Sequence, residues 1–213
     1  MTGQLDFDDH FRQQLRSLIV WRRDVRSFRT DPLPTGLLEE LVALSCLAPS
    51  VGLSEPWRFV RVNTESRRTQ VRAEFERANS EALAGYSGDQ ARLYAQLKLA
   101  GLDRAPVHLA VFADQGTRKG MGLGRRTMPE TLEYSVVGAI VTLWLAARAH
   151  GVGVGWVSIL EATRVNDILD VPQDWSLIAY LCLGYPEEET RTPELERAGW
   201  ETRSGAALPL VER

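Results

Sequence analysis

The sequence predicts an α+β fold, a sheet packed against helices, on three observations. Strand-like and helix-like patterns alternate along most of the chain, yet two helices open it with no strand between them. The segment around Val136, Val137, Ile140, Val141, Leu143, Trp144 and Leu145 is apolar nearly all round, as a central buried helix would be. The chain of 213 residues is long enough for one substantial domain, and no repeat or low-complexity tract divides it, so 1–213 reads as one unit.

Each element has its own signal. Phe7, Phe11, Leu15, Leu18 and Ile19 recur at helical spacing behind acidic residues, giving a helix over 6–21. Pro32 and Pro34 precede a second helix over 36–47, which Pro49 ends. The alternation Trp-Arg-Phe-Val-Arg-Val marks a strand at 57–62. Residues 64–99 are charged and mostly helical, with a break near Gly85 to Asp89. A buried strand follows at 107–113, then a glycine-rich, basic stretch at 117–126 that reads as a mobile loop. Pro129 suits the first turn of the central helix, which runs to about His150. Further strands at 152–159 and 175–183 flank a short helix at 162–169. From Glu187 onward three consecutive Glu residues, Pro193, Gly199 and Gly205 leave an irregular tail. It reads either as disordered or as an arm that orders on a partner subunit, burying Trp200, Leu208 and Leu210.

Composition excludes several classes. A net charge of -3 and a pI of about 5.7 argue against a general nucleic-acid binder. Cys46 and Cys182 are too few and too distant for a disulfide framework or a zinc site. His10, His108 and His150 share no metal-ligand spacing, so no metal is expected. The N-terminus is acidic and polar where a signal peptide is basic and then apolar. The longest apolar stretch, 136–147, falls short of the roughly 20 residues that cross a bilayer. A cytoplasmic protein that binds neither membrane nor nucleic acid is the expectation.

The most informative segment is Trp21-Arg22-Arg23-Asp24-Val25-Arg26-Ser27-Phe28-Arg29, with four arginines around one aspartate. Guanidinium forks match phosphate oxygens, whereas a carboxylate repels them. One reading has the arginines anchoring a phosphorylated cofactor while Asp24 faces its reactive part. The other has them as a solvated helix end, with Asp24 in a turn. Two further segments carry polar or bare backbone. The loop 48–57 offers the Ser50 and Ser54 hydroxyls, and Gly52 there either admits a flat ligand or belongs to an ordinary turn. In His150-Gly151-Val152-Gly153-Val154-Gly155-Trp156-Val157-Ser158 the glycines alternate before a strand, unlike a dinucleotide fingerprint. Gly153 and Gly155 leave one strand face bare for an aromatic ring, and Ser158 is either a fold hydroxyl or a contact to a ring edge.

Arg-Arg-Asp-Val-Arg-x-Phe, then Ala-Pro-Ser-x-Gly-x-x-x-Pro-Trp, then Gly-x-Gly-x-Gly-Trp-x-Ser, in this order, resemble the FMN-contacting stretches of the flavin-dependent nitroreductase superfamily. Asp24, where most members have Ser or Thr, together with residues 143–158, Leu123-Gly124-Arg125, Pro193-Glu194-Leu195 and Gly199-Trp200, resembles the 5,6-dimethylbenzimidazole synthase branch. The resemblance implies a central mixed or antiparallel sheet flanked by helices, a helical lid at about 73–102 and an extended C-terminal arm at about 187–213. It also implies that reduced FMN is a substrate, dismantled with O2 to 5,6-dimethylbenzimidazole and erythrose 4-phosphate for the lower ligand of cobalamin. By motif match, Arg22, Arg23 and Arg26 hold the FMN phosphate and ribityl or ring oxygens, with Val25 in the same stretch. Ser50 and Gly52 line one edge, Gly155, Trp156 and Val157 line the dimethylbenzene side, and Arg203 supplies a second phosphate contact. Asp24 and Ser158 match the residues with catalytic roles, the carboxylate accepting or relaying protons. A homodimer with the flavin between subunits is implied. No nicotinamide-binding motif is present, so a separate flavin reductase is expected to deliver reduced FMN. Glu55 departs from the family's usual Gln before Pro-Trp. Two alternatives use the same flavin site: an NAD(P)H-dependent nitroreductase that keeps its FMN intact, and a non-catalytic FMN-binding protein.

Overall fold

Among the described residues, four strands form one sheet in the order β1 (Trp57–Arg61), β2 (Val107–Asp114), β4 (Trp175–Gly184) and β3 (Gly153–Val157), each neighbouring pair antiparallel. The structure, a computed structural model, describes residues 7–97, 101–204 and 210–211. Side-chain alternation sorts the apolar residues onto two faces. Leu109 and Val111 of β2 join Leu181 and Leu183 of β4 on one side, and Ala110, Phe112, Tyr180 and Cys182 lie on the other. Both faces are covered. Helices α2 (Leu37–Ser45) and α5 (Thr131–Ala149) bury Leu41, Ile140 and Leu143 on the first. Helices α3 (Glu65–Ala84) and α6 (Ala162–Leu169) bury Val71 and Val165 on the second. The expected α+β architecture is therefore present, in three layers.

By length and composition α5 is apolar enough to cross a membrane. Its Val136, Ala139, Ile140 and Leu143 are instead fully buried in the core. The helix starts at Thr131, later than the proline suggests: Pro129 sits in a preceding turn, whose carbonyl accepts from the Leu132 N–H at 3.3 Å. Helix α1 (Asp9–Trp21) is capped by the Asp8 carboxylate, which accepts from the Phe11 N–H at 2.8 Å. The expected start at Asp6 lies outside the described residues. No residue of α1 is buried, and Phe11, Leu15 and Ile19 are 40%, 41% and 52% exposed.

Two expectations about irregular segments are corrected. The stretch 117–126 is no loose loop: its 3-10 turn at Lys119–Gly122 interlocks with a second one at Val51–Leu53, and Lys119 pairs with Glu55. The tail is not irregular at its start, because each of the three Glu residues meets its own arginine. Glu187 pairs with Arg104, Glu188 with Arg197 at 3.5 Å, and Glu189 makes a two-pronged pair with Arg148 at 3.0 Å. A short helix α7 (Glu194–Arg197) follows. The helical stretch expected to form the lid is α3 and α4 (Gly88–Gln96), with residues 98–100 outside the described set. Gly205 and Leu208 of the arm lie outside it too.

Candidate flavin site

Where α1 ends, the chain becomes an extra edge to the sheet. The Arg22 N–H closes the helix on the Leu18 carbonyl at 3.0 Å, and residues beyond it run along β3. Asp24 pairs with Val154 in a parallel bridge, with the Val25 N–H on the Val154 carbonyl at 3.0 Å. Phe28, fully buried, bridges Pro186 on the other side. This close approach requires glycine in the strand: a Cβ on Gly155 would fall 2.1 Å from the Val25 carbonyl oxygen. The bare strand face expected to receive a ligand ring is thus filled by Val25, which also packs against Gly153. Val157 departs from expectation in the same way, since its side chain is 4% exposed and sits in the core beside Phe28 and Tyr180.

Asp24 is the best-defined acidic group of the cluster. One carboxylate oxygen accepts the Trp156 N–H at 2.9 Å, and the other accepts from Arg26 Nε at 3.0 Å. Arg26 is largely enclosed, with 12% of its side chain exposed, while Asp24 keeps 35% and so faces outward from a fixed position. Ser158, exposed, lies two residues past Trp156, roughly 7 Å along an extended chain.

The arginines do not act alike. The Arg22 guanidinium stacks over the Trp144 ring at 5.1 Å, and the Trp144 indole N–H donates to the Arg23 carbonyl at 3.1 Å. Arg29 turns away to Asp31 at 2.8 Å. Arg23 donates to the carbonyl of Arg22 at 2.6 Å and to that of Arg191. Its Nε is buried with no partner among the described residues. Burial foremost, then the nearby charges of Arg203, Arg22 and Arg191, hold the Arg23 guanidinium below its ordinary pKa. Glu196 offsets part of that effect, and a buried unmet donor among several cations suits an anion such as a phosphate. A cleft of about 510 Å³ adjoins it, with Arg23, Asp24, Arg26, Trp144, Arg148 and Glu189 in its walls.

Ser50 and Gly52 stand elsewhere. The Ser50 hydroxyl accepts the Glu55 N–H at 3.1 Å, and the Val51 N–H bonds to Ser135 Oγ at 3.0 Å near the start of α5. A Cβ on Gly52 would meet the carbonyl oxygens of Gly120 and Leu123, both at 3.0 Å, so within one chain its close approach is to backbone, in keeping with the turn reading of this loop. From Ser135 to Trp144 is nine residues of helix, roughly 13 Å. Within one chain the serine loop and the aspartate cluster therefore sit at different ends of α5. Sequence reasoning missed Trp144 and Arg191. The lone tryptophan in an aliphatic helix was a signal for the first, whereas no local pattern marks the second.

Comparison with known proteins agrees with this architecture. Residues 19–185 match the nitroreductase family. A 5,6-dimethylbenzimidazole synthase of Rhodospirillum rubrum is 54% identical over 100% of this chain and 99% of its own. A second, from Rhodobacter capsulatus, is 46% identical over 92% of this chain and 95% of its own. Among solved structures, an oxidized iodotyrosine deiodinase bound to FMN and 3-iodo-L-tyrosine superposes with a TM-score of 0.71 at 22% identity. It covers 93% of this chain and 97% of that one. The chain belongs to the nitroreductase family, in its 5,6-dimethylbenzimidazole synthase branch.

Proposed function

We propose that this chain consumes reduced FMN and O2 and releases 5,6-dimethylbenzimidazole and erythrose 4-phosphate. One observation carries the reading: a carboxylate fixed at both oxygens stands beside a cluster of guanidinium groups in which the buried Arg23 Nε has no partner among the described residues. The flavin, when bound, supplies the ring that is oxidised and broken. Arg22, Arg23 and Arg203 take its phosphate. Arg26 holds Asp24 in place and meets the ribityl or ring oxygens, and Asp24 receives and returns protons at its exposed edge. Ser158 orients the ring edge without adding charge, beside Trp156. That the relatives named above are synthases of this benzimidazole supports the reaction class, and the FMN in the deiodinase structure supports the ligand.

The active form in this reading is a homodimer with the flavin between subunits. Two features favour it. Phe7 and the Phe11, Leu15 and Ile19 stripe of α1 are 40–52% exposed, and Leu53, Met121 and Leu123 are exposed at 69%, 88% and 73%. The serine loop is also separated from Asp24 within one chain, so a second copy would bring its own Ser50 and Gly52 to the flavin. A separate reductase supplies reduced FMN. The test gives the protein chemically reduced FMN and air and looks for 5,6-dimethylbenzimidazole by chromatography. Its formation is the expected result. Turnover of a nitroaromatic by NAD(P)H with FMN intact would overturn it, and so would flavin binding with neither activity.

A further inference from the structure

Arg23 is gripped from behind by the tail. It donates to the Arg191 carbonyl, and the Arg191 guanidinium lies over the Trp21 ring at 5.6 Å. Pro193 then opens α7, and the helix ends in a tight reversal with Gly199 at φ 73°. The Trp200 N–H bonds back to the Leu195 carbonyl at 2.9 Å, and the Gly199 N–H to that of Glu196 at 3.1 Å. This paired closure, which a left-handed glycine permits, makes residues 191–200 a short strap of fixed shape.

The far end of the strap is Trp200. Its ring meets Tyr86 edge-on at 5.8 Å and Tyr94 at 6.1 Å, and these two tyrosines stack at 4.7 Å. The Tyr94 hydroxyl donates to Asn79 Oδ1 at 2.9 Å, tying α4 to α3. These contacts set this part of the arm against the α3–α4 pair. We infer that Trp200 is a positioning residue that couples the α3–α4 lid to the guanidinium cluster, so that a phosphate seated on Arg23 fixes the lid through the strap.

The inference rests on reading that cluster as the FMN phosphate seat. Burial and the charges of Arg203, Arg22 and Arg191 bear unfavourably on the Arg23 guanidinium, Glu196 of the strap offsets part of this, and the strap's anchor is the group on which a phosphate would act. A phosphate turns that repulsion into shared attraction, and a ligand shifts a conformational balance only through such a difference. Flavins lacking phosphate leave the balance where it was. Lid order, and with it the exclusion of water, becomes conditional on FMN over riboflavin.

Backbone hydrogen exchange over residues 86–94 of the full chain tests this, with FMN, riboflavin or no ligand added. In the wild type FMN slows exchange by about tenfold or more and riboflavin does not. Trp200→Leu, which keeps apolar bulk, still binds FMN but loses the slowing, and Trp200→Phe retains it. Equal slowing by FMN in Trp200→Leu and wild type overturns the coupling, as does equal slowing by FMN and riboflavin. Failure of FMN to bind the wild type overturns the flavin reading itself, and the coupling with it.

Discussion

The backbone N–H of Trp156 donates to the Asp24 carboxylate at 2.9 Å, which fastens the acidic residue of the first irregular segment to the edge strand of the sheet. With Arg26 on its other oxygen, the group is held by two partners from different directions. A proton acceptor so fixed has little freedom to lose when a substrate arrives.

Asp24→Asn separates holding from proton transfer. The amide oxygen still accepts from Trp156, the amide nitrogen no longer accepts from Arg26, and FMN binding persists through the arginines. Product formation is expected to fall by about 10²-fold or more, the scale of a lost general acid–base. Equilibrium titration with FMN and chromatographic assay of the benzimidazole check the two halves. A wild-type rate in this variant removes Asp24 from the chemistry.

Arg23→Gln tests the phosphate seat. A charge-assisted hydrogen bond contributes about 1.5–3 kcal/mol, so FMN affinity should drop roughly 10- to 100-fold while riboflavin affinity stays level. Titration calorimetry with FMN and with riboflavin measures both.

Gly155→Ala tests the edge bridge. The added Cβ would meet the Val25 carbonyl oxygen at 2.1 Å, which forces the segment bearing Asp24 off β3. Overpacking of this kind costs about 1–3 kcal/mol, measurable by urea unfolding, and flavin affinity should fall with it.

His108 sets a pH dependence of stability apart from the site. It is 1% exposed, its Nδ1 lies 3.0 Å from the Tyr180 hydroxyl, and burial lowers its pKa from 6.5 to about 4. Below pH 6.5 the unfolded chain takes up a proton that the folded one refuses. Stability therefore falls as pH drops from about 6.5 to 4, by roughly 3 kcal/mol in all. Denaturant midpoints across that window should show the slope, and His108→Gln should flatten it.

The sequence alone carried the layered α+β plan, because burial on both faces leaves β2 and β4 mostly apolar, with His108 and Ser176 among the few interruptions, and α5 apolar nearly all round. It also carried the arginine–aspartate segment, whose charges are neighbours in the chain. What each of those charges does was decided only by packing. Trp156 reaches Asp24 across 132 positions, Trp144 reaches Arg23 across 121, and Arg191 meets it across 168. The glycines that seemed to bare a strand for a ligand admit the chain's own Val25 instead. Local pattern records which face of an element is apolar; which backbone then lies against that face depends on contacts between distant segments.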